Sequence, residues 1–366
     1  MERRYDIDFL RVVAIGLLLV YHIGIGFQPF GVFIGFIQND ESLPGLWTFM
    51  SMLNVWRIPL LFFVSGMGVA FSLRKRNLPR LLLERSQRIL LPFLFGMVTL
   101  VPLHMILWQS YYHQDIQYKP APGHLWFLGN IFLYVLVLSP LFLYLRKRRS
   151  ELTRLERLFR NPFSLMLVVL CFVAEAEWVP APSYATYALT FHGLAVGFLG
   201  FFFGFMLVRS GSGTWSFLQR TWWILAPVAL GLFLLRRFRF DLEAPSWLMA
   251  LESCLWVFAV LGFGRARLNR PGPGLFYLSQ AAYPVYILHM VFLYLGSVFL
   301  FPLPLPAVWK FIFLNLFTFA GCFLSYEFLV RRIRILRPLF GLKPSVKNQL
   351  TERSPSPTFA PSPQNR

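Results

Sequence analysis

The sequence predicts an all-α, polytopic integral membrane protein with about ten transmembrane helices and both termini in the cytoplasm. Three observations carry this. Hydrophobic residues make up 57% of the 366, with 41 phenylalanines and a mean hydropathy of +0.57, which is too apolar for a soluble domain. The apolar residues fall in runs of about 16 to 25, the length of spanning helices and not the alternating ten or so of barrel strands. The basic residues are distributed unevenly. With the N-terminus placed inside, 28 of the 35 Lys and Arg fall in inner segments, 4 in outer loops and 3 within spans. That asymmetry orients the chain. It also reads the net charge of +19 as topological, with some attraction to anionic lipid, and argues against nucleic-acid binding.

The spans follow in order at about 9–27, 47–72, 89–109, 125–145, 163–178, 186–208, 221–235, 246–264, 275–299 and 307–330. The first opens after a charged start but lacks a small-x-small cleavage site, so it is read as a retained helix and not a signal peptide. It carries Arg11 and His22 eleven residues apart, which returns both to one helical face, roughly 16 Å apart in depth. Asp8, three residues before Arg11, is placed to pair with it. Ionisable groups inside lipid are costly, so a shared Arg–His face points to function rather than to snorkelling alone.

The second span holds Arg57 near mid-membrane, two residues before Pro59, then Phe62-Phe63-Val64-Ser65-Gly66. The proline frees a carbonyl one turn back, and Ser65-Gly66 allows close helix approach. Glu84-Arg85-Ser86-Gln87-Arg88 lies at the inner mouth of the third span, suited to anchoring or to a phosphorylated cytosolic ligand. His124-Leu125-Trp126 opens the fourth span from outside, where an interfacial tryptophan is expected.

Glu175 and Glu177 sit near an outer end, where interfacial solvation is expected, although either is a possible carboxylate partner for a histidine. The outer cluster Arg236-Arg237-Phe238-Arg239 fits the charge rule poorly and reads as a solvated belt, unless the seventh span is misdrawn or the cluster faces an anionic outer ligand. His289 lies midway through the ninth span, while His104 and His192 read as structural. Glu327 and Arg331, four apart, are expected to pair. Three cysteines, Cys171, Cys254 and Cys322, lie within apolar runs and offer neither a disulfide framework nor metal-ligand spacing. Residues 1–343 therefore read as one membrane domain and 344–366, rich in Ser and Pro, as a disordered cytoplasmic tail with no soluble domain attached.

Several motifs together resemble acyltransferase family three of integral membrane proteins, and most resemble its branch of osmoregulated periplasmic glucan succinyltransferases. They are Asp8-Phe9-Leu10-Arg11 with His22, Arg57 with Phe62-Phe63-Val64-Ser65-Gly66, and Arg85-Ser86-Gln87-Arg88 before Pro92. Further along are His124-Leu125-Trp126-Phe127-Leu128, Tyr283-Pro284-Val285-Tyr286-Ile287-Leu288-His289, and Tyr326-Glu327 followed by Gly341-Leu342-Lys343.

The resemblance implies an enzyme of the bacterial inner membrane. It implies transfer of an acetyl- or succinyl-type group from cytosolic acyl-CoA to a hydroxyl of an extracytoplasmic glycan or glycolipid. No bound cofactor or metal is implied. In that chemistry Asp8, Arg11, Arg57, Arg85 and Arg88 are candidates for holding the donor. His22, with His289 as a second candidate, would be general base or acyl-accepting nucleophile. Tyr21, His124, Trp126 and Glu175 are candidates for the acceptor side. A competing class, a transporter of an anionic solute, shares the bundle and its internal charges but lacks an evident internal repeat.

Overall fold

An apolar segment in lipid must satisfy its own backbone polar groups, and a helix does so within one segment. The computed structural model describes residues 4–75, 77–147, 154–209 and 211–343. Among these there are helices and no strands. Ten helices form the bundle: α1 (Tyr5–Ile25), α2 (Pro44–Leu73), α3 (Leu78–Tyr111), α4 (Gly123–Leu145), α5 (Ser164–Trp178), α6 (Phe191–Arg209), α7 (Gly213–Arg239), α8 (Ser246–Leu268), α9 (Pro273–Leu300) and α10 (Ala307–Val330). All but α5 are long and apolar enough to cross a membrane. The 15 residues of α5 rise only about 22 Å, short of the hydrocarbon thickness. The tail expected over 344–366, and residues 148–153 of the basic segment before α5, lie outside the described residues.

Several expected boundaries change, the third helix beginning at Leu78 and not at 89. The sixth helix begins at Phe191 and not at 186, because Leu189 takes a left-handed φ of 58° and Thr190 caps the helix, its Oγ1 accepting from Gly193 N at 2.9 Å. The seventh runs over Gly213–Arg239 and not 221–235, so Arg236 is a helical residue, fully buried. Its Nε donates to Glu252 Oε2 at 2.7 Å and its Nη2 to Oε1 at 3.1 Å. The belt reading thus fails at Arg236, whose partner stands on the next helix. It holds at Arg237, which pairs at the surface with Asp241.

α2 is the hub, packed against α1, α4, α6 and α8. Against α6 the approach is closest. A Cβ on Gly66 would strike the Phe201 carbonyl, and one on Gly204 would strike the Phe63 carbonyl, so the two backbones touch through reciprocal glycines. Phe62 fills the space towards α4, ringed by Trp126, Phe127 and Tyr134. On the other side α9 packs against α1, α3 and α10.

The end of the bundle where α1 begins is the basic end. Three π-helical turns, Ser86–Leu90, Gly264–Leu268 and Tyr326–Val330, all lie there, each carrying or adjoining arginines. The expected Glu327–Arg331 pair forms at 2.8 Å.

Candidate active site

A cavity of about 910 Å³ runs through the bundle between α1, α2, α3, α4 and α9. At the basic end it is walled by Arg11, Arg85 and Arg88. Arg11 is held by Asp8 at 3.4 Å, the pair that the three-residue spacing predicts. Arg85 donates to Ser72 Oγ at 2.8 Å, and Arg88 lies 3.3 Å from Glu84. The chain that leaves α10 folds back and adds Gly341 and Leu342 to the wall beside Tyr283. Gly341 has a φ of +72°, and a Cβ there would run into the Tyr283 ring. Arg337 staples this return, donating to the Lys343 carbonyl at 2.8 Å and to the Arg331 carbonyl at 2.7 Å.

Midway along, His22 projects from the same face of α1 as Arg11, and both line the cavity. Behind it stands His289, fully buried and outside the lining. The tautomers follow from the hydrogen bonds. His289 Nδ1 lies 2.6 Å from the Tyr286 carbonyl, which can only accept, so Nδ1 carries the proton and the neutral ring presents Nε2 as an acceptor. His22 Nδ1 lies 2.8 Å from that Nε2 and therefore donates to it. The remaining His22 nitrogen, Nε2, keeps its lone pair.

The same segment of α9 fixes His124: Tyr286 Oη donates to the His124 carbonyl at 2.6 Å, and His124 Nε2 donates to the Ile287 carbonyl at 3.2 Å. His124, Trp126 and Tyr21 all line the cavity, as does Arg57, whose guanidinium sits 4.2 Å above the Tyr21 ring.

Towards the opposite end the wall is the segment 183–188. Pro59 lacks the N–H that would bond the Val55 carbonyl, and Tyr187 takes its place, its hydroxyl donating to that carbonyl at 2.9 Å. Burial pushes the Tyr187 phenol well above its ordinary range, so it stays a donor. The segment is pinned from behind by His192, whose Nε2 donates to the Tyr184 carbonyl at 2.8 Å and whose Nδ1 lies 2.9 Å from Glu175.

The structure thus brings together eight of the residues singled out in the sequence: Arg11, Tyr21, His22, Arg57, Arg85, Arg88, His124 and Trp126. Asp8 and His289 stand one layer behind, on Arg11 and His22. Glu175 does not join the lining and is not solvated. It is buried against His192, because α5 ends beside the start of α6.

Sequence reasoning missed Tyr187 and Asn54 on the lining. The signal for Tyr187 was the freed carbonyl at Val55, which needed a donor. Asn54 carried none.

A bundle of membrane-length helices around a cavity that holds an oriented histidine and a file of arginines defines a multi-pass membrane enzyme. The chain belongs to acyltransferase family three: the family model, an acyltransferase domain, matches residues 4–327, nearly the whole of it. Comparison with curated proteins and with solved structures finds no match.

Proposed function

We propose that the chain carries an acetyl- or succinyl-type group from cytosolic acyl-CoA to a hydroxyl of an extracytoplasmic glycan or glycolipid, with His22 at the point of transfer. The observation that carries this reading is the free Nε2 of His22, placed midway along a cavity with arginines at one end and an aromatic, polar rim at the other. A CoA thioester is anionic at its nucleotide end and reactive at the tip of a long arm. Arg11, Arg85 and Arg88 suit the phosphates, and the roughly 16 Å of helix between Arg11 and His22 suits part of the arm.

In the direct route, His22 Nε2 takes the proton of the acceptor hydroxyl as its oxygen attacks the thioester carbon. The tetrahedral centre collapses, the C–S bond breaks, and the imidazolium returns the proton to the leaving thiolate. In the relay, Nε2 itself attacks and the thiolate leaves. The acceptor then displaces the histidine with loss of its proton, so atoms and charge balance on both routes.

His289 acts here as a positioning residue, because its nitrogens are committed to Tyr286 and His22. On the acceptor side we place Tyr21, His124 and Trp126, while Glu175 acts at one remove by holding His192 and the rim. Transport of an anionic solute is set aside because the family is one of acyltransferases.

The test uses purified chain in lipid nanodiscs with acetyl-CoA and succinyl-CoA, reading free thiol released with and without added glycan. It is paired with mass analysis of envelope glycans from cells with and without the chain. Thiol release that depends on His22 and a matching acyl mass on a glycan support the reading. Neither donor being consumed, with glycan masses unchanged, overturns it.

A further inference from the structure

Among the described residues two arginines, Arg57 and Arg236, are fully buried, and their surroundings differ. Arg236 has both oxygens of Glu252, the Ser51 carbonyl and the Leu242 carbonyl around it. Arg57 is 1% exposed, yet its Nε and Nη1 have no hydrogen-bond partner, and Nη2 reaches only the Asn54 amide oxygen at 3.5 Å. Among the described residues no carboxylate forms an ion pair with it. The Tyr21 ring below it offers a π face, which is weaker compensation than a carboxylate.

Stranding a buried cation costs several kcal/mol, so a structural arginine here would be expected to resemble Arg236. Arg57 instead borders the cavity, on the wall that carries Tyr21 next to His22. Nε and Nη1 lie on separate edges of the planar guanidinium, each edge shared with Nη2, and such an edge receives an oxyanion in bidentate fashion.

We infer that Arg57 forms an anion subsite beside His22, and that a substrate carrying its own carboxylate or phosphate completes it. The inference rests on the proposed function and deepens it, since it states a chemical property of what is transferred or received. A donor whose nucleotide lies at the arginine mouth and whose thioester lies at His22 brings its acyl chain beside Arg57. A ligand entering past Tyr187 from the opposite end meets Arg57 as well. One oxyanion chemistry therefore has two sources: a carboxylate at the far end of the acyl chain, or an anionic group on the acceptor.

Charged probes and their uncharged twins separate these sources. Succinyl-CoA and butyryl-CoA have acyl chains of similar length and differ in the terminal carboxylate. Glycerol phosphate and glycerol play the same parts for the acceptor. Each is titrated calorimetrically into nanodisc-embedded wild type, Arg57→Gln and Arg57→Lys, all first shown to be monodisperse.

The expected result is at least about tenfold tighter binding of one charged probe than of its twin in wild type, as charge-assisted hydrogen bonds allow. That preference is lost in Arg57→Gln and kept in part in Arg57→Lys. A succinyl-CoA preference assigns the anion to the acyl chain, and a glycerol phosphate preference assigns it to the acceptor. Absence of any charge preference in wild type, or a preference that survives Arg57→Gln, overturns the inference. Failure of both CoA thioesters to bind would instead overturn the donor reading, and the glycerol pair would still decide Arg57.

Discussion

His22 and His289 share a single hydrogen bond, 2.8 Å from Nδ1 to Nε2, across rings tilted by only 8°. With the Tyr286 carbonyl behind them they form a file of groups in which each hydrogen bond fixes the next tautomer. The arrangement does for His22 what a carboxylate does for the histidine of a hydrolytic triad, with a neutral orienter in place of a charged one. His289→Leu removes the acceptor and frees the His22 ring to rotate. The expected loss in kcat is about 10–100-fold with little change in KM for the donor. His289→Gln, whose amide oxygen can accept from Nδ1, should recover part of it. Equal damage from both variants, or a loss confined to KM, would count against an orienting role.

His22→Ala is expected to abolish transfer, by at least about 10³-fold, while acyl-CoA still binds, because the loss falls on the chemical step. Radiolabelled acyl-CoA without acceptor then separates the two routes. Label that stays on wild-type protein and disappears in the variant marks the relay. No label, with activity still dependent on His22, marks general-base transfer. Wild-type turnover by His22→Ala would remove this residue from the chemistry.

The reciprocal glycines of α2 and α6 give a second structural prediction. Gly66→Ala and Gly204→Ala each drive a methyl group against backbone of the facing helix, which cannot turn aside as a side chain can. Overpacking of this kind costs about 1–3 kcal/mol. Because α2 also carries Arg57 and Ser65 on the cavity wall, separation of the helices should lower activity along with thermal stability in detergent. Gly16→Ala is the control, since a Cβ there meets nothing within 4 Å. Both effects should be absent in it.

The charge distribution predicts that the basic end faces the cytoplasm. Single reporter cysteines at Lys343 and at the exposed Gln117 therefore should label from opposite sides of the membrane, Lys343 from within. Of the native thiols, Cys254 and Cys322 are buried and Cys171 is half-buried, so background labelling is small. Labelling of Lys343→Cys from outside would invert the topology.

What was legible in the sequence is what depends on one helix. The Arg11–His22 face, the Asp8 pair, the close approach at Gly66 and most spans follow from local spacing and hydropathy, and they are found. What was not legible depends on partners far along the chain. His289 lies 267 residues from His22, and Tyr187 lies 132 from the carbonyl it serves. The start of α6 was drawn too early because Ala188-Leu189 continues an apolar pattern that the left-handed turn at Leu189 interrupts. Arg236 looked solvated because it ends a helix beside two other arginines, and Glu175 because it ends one beside Trp178. In both cases the burying surface comes from a neighbouring helix that no local window contains.

The Arg236–Glu252 pair yields the sharpest test of how the fold holds its site. Both side chains are at most 1% exposed, and each carboxylate oxygen receives one guanidinium nitrogen. Glu252→Gln keeps the shape and removes the counter-charge, which strands a buried cation and should cost about 3–5 kcal/mol. The double variant Arg236→Met/Glu252→Met removes both charges and should regain much of that loss, since a buried ion pair offsets its own desolvation only narrowly. It cannot regain all of it in function. Arg236 Nη2 also donates to the Ser51 carbonyl at 3.3 Å, one turn before Asn54 and nearly two before Arg57 on α2. With that tie gone, the double variant should fold yet transfer acyl groups more slowly than wild type. Denaturant titration in detergent reads the stability, and thiol release from acyl-CoA reads the rate. Glu252→Gln as stable as wild type would show that the pair is not what joins α7, α8 and α2. A double variant with full activity would show that the tie to Ser51 does not reach the site.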